Sequence, residues 1–107
     1  MPEPESLSEA QVQSCLAGLD TWEVRDGRLR KQFTFRTFLR AIVFVNSIAY
    51  LAEGAGHHPD MTINYNKVTI RIITHAVNAL TERDFALARD IDKKLASRLI
   101  ITEETPP

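Results

Sequence analysis

All three histidines of this 107-residue chain lie between residues 57 and 75, in a stretch that opens Glu53-Gly54-Ala55-Gly56-His57-His58-Pro59-Asp60 and closes Thr74-His75. Histidine is the side chain whose unperturbed pKa, about 6.5, lets it give and take protons near neutrality. Three imidazoles gathered beside the carboxylate of Glu53 therefore point to general acid–base chemistry. Pro59 holds His58 extended, and neighbouring side chains of an extended segment point opposite ways, so only one of the adjacent pair can face a given point squarely. Three histidines and a glutamate also raise a metal site. Adjacent imidazoles that diverge, in a spacing that matches no common zinc pattern, speak against it, and no metal is expected. Histidines with a purely structural role remain the other alternative.

The elements that must position these residues can be read from periodicity and turn chemistry. Leu7-Ser8-Glu9-Ala10-Gln11-Val12 combines capping-box spacing (Ser8, Gln11) with a hydrophobic staple (Leu7, Val12), so a helix begins at Ser8, with Val12, Cys15, Leu16 and Leu19 as its apolar stripe. Asp26-Gly27 suits the positive φ angles of a two-residue hairpin turn. Pairing Arg25 with Arg28 then sets Val24 opposite Leu29 and Glu23 opposite Arg30. The alternation places Trp22, Val24, Leu29, Phe33 and Phe35 on the buried face, with Lys31 at its rim.

From Thr37 to about Ala52 the longest apolar segment reads as a central helix. Phe38, Ala41, Ile42, Val45, Ile48, Ala49 and Ala52 mark one face, and Val43, Phe44, Tyr50 and Leu51 lie away from it. A helix apolar on two sides in so small a protein implies self-association. Gly54 and Gly56 let the chain leave this helix and present the histidine pair from a loop. Two further strands follow, Met61 to Tyr65 and Val68 to Ile73. A turn at Asn66-Lys67 would pair Ile63 with Ile70 and Met61 with Ile72, and would return His75 close to His58 and Pro59. Leu80-Thr81-Glu82-Arg83-Asp84-Phe85 repeats the capping-box and staple pattern, starting a last helix with Leu87, Ala88, Ile91, Leu95 and Leu99 as its stripe. The expected fold is α+β, in the order α-β-β-α-β-β-α, with a four-stranded antiparallel sheet and three helices packed on one face.

Composition sets the remaining bounds. Residues 1–107 form a single domain, long enough to bury roughly two-thirds of its unfolded surface, with 1–6 and 102–107 expected as mobile tails. Apolar content of 44%, charged content of 25% and a net charge of −1 describe an ordinary globule with no field that would gather phosphate backbones, so nucleic-acid binding is disfavoured. The lone Cys15 sits in an apolar stripe as a small hydrophobe and suits a reducing cytoplasm. The acidic start Met1-Pro2-Glu3-Pro4-Glu5 has no apolar core region. No run approaches the ~20 apolar residues of a membrane span, so neither a secretory signal nor a membrane partner is expected.

Glu53, His57, His58, Pro59, Tyr65-Asn66-Lys67-Val68, Thr74-His75 and Leu80-Thr81-Glu82-Arg83-Asp84 resemble, in order and spacing, the pterin-4a-carbinolamine dehydratases. The likeness extends to the Trp22 strand and to Lys31-Gln32-Phe33, and so covers nearly the whole chain. Met61 departs from it, since many members carry a large aromatic residue after the proline. The resemblance implies dehydration of 4a-hydroxytetrahydropterin (4a-hydroxytetrahydrobiopterin) to the quinonoid dihydropterin, recycling the pterin of aromatic amino acid hydroxylases. It implies His57, His58 and His75 as the catalytic set, with His57 and His75 as the proton-transfer pair and His58 also positioning substrate. Glu53 would hold a histidine or the substrate, and Thr74 and Asp84 would complete the binding set, although the capping box alone also accounts for Asp84. Such chemistry needs no metal or organic cofactor. The resemblance also implies a homotetramer built as a dimer of dimers. It leaves a second role open, because relatives on this fold act as a dimerisation cofactor of a homeodomain transcription factor or in Rubisco assembly.

Overall fold

The computed structural model describes residues 4–96. Its elements are α1 (Glu9–Ala17), β1 (Glu23–Arg25), β2 (Arg28–Thr34), α2 (Phe38–Ala55), β3 (Asp60–Asn64), β4 (Lys67–Ile72) and α3 (Glu82–Asp90), the last continued by a π-helical stretch, Ile91–Ala96. The four strands form one antiparallel sheet in the order β1-β2-β4-β3, and the helices pack on one of its faces. This is the α+β arrangement anticipated from the sequence. The expected tail 102–107, the start of the other tail (1–3) and the stripe position Leu99 lie outside the described residues.

Local chemistry sets most element boundaries. Ser8 and Gln11 form the reciprocal capping box at the start of α1, as Thr81 and Asp84 do at α3, and the Thr37 hydroxyl caps α2 by accepting from the Arg40 amide. Asp26 (φ 53°) and Gly27 (φ 76°) make the first turn with the anticipated register, Val24 facing Leu29 and Glu23 facing Arg30.

The core lies between the sheet and the helices. Leu29, Phe33 and Phe35 from the β2 region and Val68, Ile70 and Ile72 from β4 meet Ala41, Phe44 and Ile48 of α2 and Phe85, Leu87, Ala88 and Ile91 from the C-terminal helical segment. The Phe44 ring lies 4.8 Å, centroid to centroid, from both Phe33 and Phe35, which fixes how α2 sits on the sheet. Lys31 shares the inward face of β2, yet its charge is satisfied. Its Nζ lies 3.0 Å from Asp92 Oδ1 and 4.8 Å from the Phe33 centroid, while Trp22 Nε1 donates to the other Asp92 oxygen at 2.8 Å. Asp92 thus ties the π-helical stretch to the first hairpin.

Four expectations need correction. The buried stripe of α2 is Ala41, Phe44, Ile48 and Ala52; Phe44 is fully buried, whereas Phe38 and Ala49 are exposed. Val24 is exposed too, because β1 is a three-residue edge strand that offers its side chain cover on one flank only. The second hairpin turns at Tyr65-Asn66 and not at Asn66-Lys67, so Ile63 pairs with Val68 and Met61 with Ile70. Asn66 sets this turn: its side chain donates to the Phe35 carbonyl at 2.7 Å and its own carbonyl accepts from the Phe35 amide at 2.8 Å. Finally, α2, with 18 residues and a mean hydropathy of 1.3, is by length and composition long and apolar enough to cross a membrane. Its Ala41–Ala52 stripe packs into the domain core, the position of a central helix in a folded domain.

Candidate active site

The histidine loop begins where α2 stops. Gly56 adopts the left-handed conformation (φ 64°), its amide bonds the Glu53 carbonyl, and the His57 amide bonds the Ala52 carbonyl. This double closure is a Schellman motif, and it fixes the backbone of His57 relative to the helix axis. Gly54, by contrast, is still helical. Beyond the loop the β3–β4 ladder starts with Asp60 facing Arg71. Extending that register past Pro59 sets His57 level with Thr74.

Asp84 joins the two. His57 Nε2 lies 2.6 Å from Asp84 Oδ1, and Asp84 Oδ2 accepts from the Thr74 hydroxyl at 2.9 Å and the Thr81 amide at 2.8 Å. Thr74 and Thr81 share a further hydroxyl–hydroxyl bond of 2.7 Å. Asp84 and Thr81 have no solvent exposure, and Thr74 almost none. A buried carboxylate with this many donors is the arrangement that lets a charge persist away from water. With Asp84 ionised, His57 donates Nε2–H to it. Nδ1 is then left without a protein partner among the described residues, but not sealed from solvent. An imidazole oriented through one nitrogen and open at the other is equipped to exchange a proton with a bound molecule.

The adjacent imidazole goes the other way, as the extended backbone requires. His58 is largely exposed, and its Nε2 lies 2.6 Å from Glu53 Oε2 on the last turn of α2. His75 is exposed within the turn bounded by the Thr74–Ala79 bridge, directly after the threonine that binds Asp84. The sequence-derived set therefore falls into a buried group (His57, Asp84, Thr74), an exposed pair (His58, Glu53) and exposed His75 beside the buried group in the chain. Asp84 turns out to serve both readings at once, capping α3 and holding His57. Thr81, in sequence terms a helix cap, also belongs to this buried group. Its capping-box spacing to Asp84 was the available signal, but the Thr74 contact is tertiary. Among the described residues no three His, Cys, Asp or Glu side chains are grouped to hold a metal ion.

Comparison with known proteins places this geometry in context. The family model described as Pterin 4 alpha carbinolamine dehydratase matches residues 5–94. A protein of Chloroflexus aurantiacus named "Putative pterin-4-alpha-carbinolamine dehydratase" is 45% identical over 87 residues, covering 81% of this chain and 94% of that protein. A crystal structure of a transcriptional coactivator/pterin dehydratase from Brucella melitensis superposes with a TM-score of 0.78 at 34% identity, over 82% of this chain and 96% of the other. A second structure, of a pterin dehydratase-like protein identified as a RuBisCO assembly factor in the alpha-carboxysome, has a TM-score of 0.55 at 24% identity. It covers 66% of this chain and 82% of the other, and is a likeness of fold alone.

Proposed function

The chain belongs to the pterin 4 alpha carbinolamine dehydratase family, and on that premise we propose that it removes water from 4a-hydroxytetrahydropterin, the biopterin form included, to give the quinonoid dihydropterin. The observation that carries this reading is the His57–Asp84 pair, a nearly buried imidazole anchored on a fully buried carboxylate with its second nitrogen open. The reaction requires one proton delivered to the departing hydroxyl and one withdrawn from the neighbouring ring nitrogen, so the protein ends with the proton count it began with. His57 and His75 are the proposed donor and acceptor in this exchange. Asp84 fixes the His57 ring and favours its charged form during the transfer, as a carboxylate behind a catalytic imidazole does. His58, braced by Glu53, is exposed and would contact the substrate from the loop, and Thr74 holds Asp84 by donating its hydroxyl to the carboxylate. As the two protons move, the carbon–oxygen bond breaks, the electron pair of the ring nitrogen forms the carbon–nitrogen double bond and water departs, so the histidines have only protons to carry. A cytoplasmic setting, beside the hydroxylases whose pterin it would recycle, is part of the same reading.

A homotetramer, built as a dimer of dimers, belongs to the proposal as well. Leu39 and Tyr50 of α2 are 70% and 83% exposed, and exposed Val43 shares their side of the helix. Large apolar side chains gathered on one helix suit a surface that other copies of the chain cover. That surface also favours a second role as an interaction protein, although such a role makes no use of the His57–Asp84–Thr74 network. The test is direct: generate the 4a-carbinolamine in situ and follow its breakdown by absorbance with and without micromolar protein. Acceleration over the spontaneous rate is expected, and an unchanged rate would remove the enzymatic reading.

A further inference from the structure

The sheet face turned away from the helices carries its own charged cluster. Side chains alternate along a strand, and with Leu29, Ile70 and Ile72 inward, Glu23, Arg25, Arg28, Arg30, Asp60 and Arg71 all stand outward. Arg25 lies directly opposite Arg28, and Arg30 directly opposite Arg71. Like charges facing each other across a ladder destabilise a sheet, so the fold carries a cost here twice over.

The neighbouring carboxylates relieve only part of it. Glu23 reaches Arg30 at 2.7 Å and Arg25 at 3.4 Å, and Asp60 bypasses its own ladder partner Arg71 to bind Arg28 at 2.7 Å. Arg71 bonds only the Thr62 hydroxyl, at 3.1 Å, and no carboxylate among the described residues. Arg25, Asp26, Arg28, Arg30 and Arg71 line a hollow of about 410 Å³, within the range of small-molecule sites.

We propose that this hollow binds a small phosphate-bearing anion, with Arg71 and Arg30 as its main ligands and Arg25 and Arg28 completing it. Guanidinium forks match phosphate oxygens two at a time, and a tetrahedral dianion can engage several of them where a single carboxylate engages one. Glu23 and Asp60 are 43% and 56% exposed, and ion pairs so exposed are weak enough for an incoming dianion to displace. The chain as a whole carries a net charge of −1, a poor overall field for a nucleic-acid backbone, which favours a small anion over a polymer. The site lies on the sheet face opposite the helices that carry Asp84, and nothing in the proposal depends on the activity proposed above.

The test follows the arginine Nε–Hε resonances of the full chain at constant ionic strength. Inorganic phosphate, ribose 5-phosphate and a short DNA duplex are titrated in separate arms. Saturable shifts at Arg71 and Arg30 are expected with the first two. Arg71→Gln should weaken binding about tenfold, the loss of a charge-assisted hydrogen-bonding partner. Arg25→Gln, at an exposed position, provides a second variant whose folding is not in question, and it too should weaken binding. Lys67→Gln, on the same face but outside the hollow, should leave it unchanged. Equal affinity for both small anions identifies the free ion as ligand, and tighter binding of the ester identifies a phosphorylated metabolite. Unaltered affinity in Arg71→Gln and Arg25→Gln, or an equal loss in Lys67→Gln, would overturn the site. A duplex bound more tightly than either small anion, and weakened by Arg71→Gln, would overturn the small-anion assignment.

Discussion

The two carboxylate oxygens of Asp84 divide their work, Oδ1 holding His57 and Oδ2 holding the start of α3 and the Thr74 hydroxyl. Removing the group strips a helix cap and leaves the Thr81 amide, the Thr74 hydroxyl and one His57 nitrogen to find other partners. Asp84→Ala should therefore cost about 3 kcal/mol in stability, read as a lowered urea midpoint. Asp84→Asn keeps the shape and should cost less, yet it should still impair turnover, because a neutral amide cannot favour a charged imidazole. Cys15 makes a contrasting case. Its thiol is pushed up from its ordinary value by burial and then by the adjacent Glu82 carboxylate, which its Sγ meets at 3.4 Å, with Arg89 acting weakly against this. A thiol raised in this way is less ionised at neutral pH and so less nucleophilic. Its reaction with a disulfide reagent at pH 7.5 should be slower than that of free cysteine, and Glu82→Gln should speed it up.

At the scale of elements, Gly56 decides where His57 stands. A methyl group there would meet nothing within 4 Å, so Gly56→Ala is opposed by backbone conformation alone. It should cost about 1 kcal/mol, and it should also lower turnover by loosening the motif that fixes His57. The caps of α1 and α3 and the first hairpin were legible in the sequence because each rests on residues within a few positions of one another. The second hairpin was not. A slip of two residues preserves the in-and-out alternation, so matching Ile63 to Ile70 or to Val68 looks equally good on paper; the tertiary bond from Asn66 to Phe35 makes the choice. The buried face of α2 is hidden in the sequence for a related reason. The helix is apolar nearly all round, and contact with Phe33 and Phe35 turns Phe44 inward. Of the site, the residue types and the divergence of His57 and His58 could be read from the sequence. The link from His57 to Asp84 spans 27 residues and has no local signature.

For the whole molecule, the apolar residues left uncovered on α2 bear on assembly. Sedimentation velocity at micromolar concentration should find a tetramer, and Leu39→Glu, at a position 70% exposed, should shift it toward smaller species without unfolding the chain. Monomer alone would contradict that part of the account. The role of the histidines is tested by the rate of 4a-carbinolamine breakdown with wild-type protein, His57→Ala and His75→Ala at equal concentration. Removing a proton-transfer group should lower the rate by roughly 10²-fold or more in each variant, while circular dichroism shows both still folded. A wild-type rate retained in both would show that these imidazoles move no proton in the reaction.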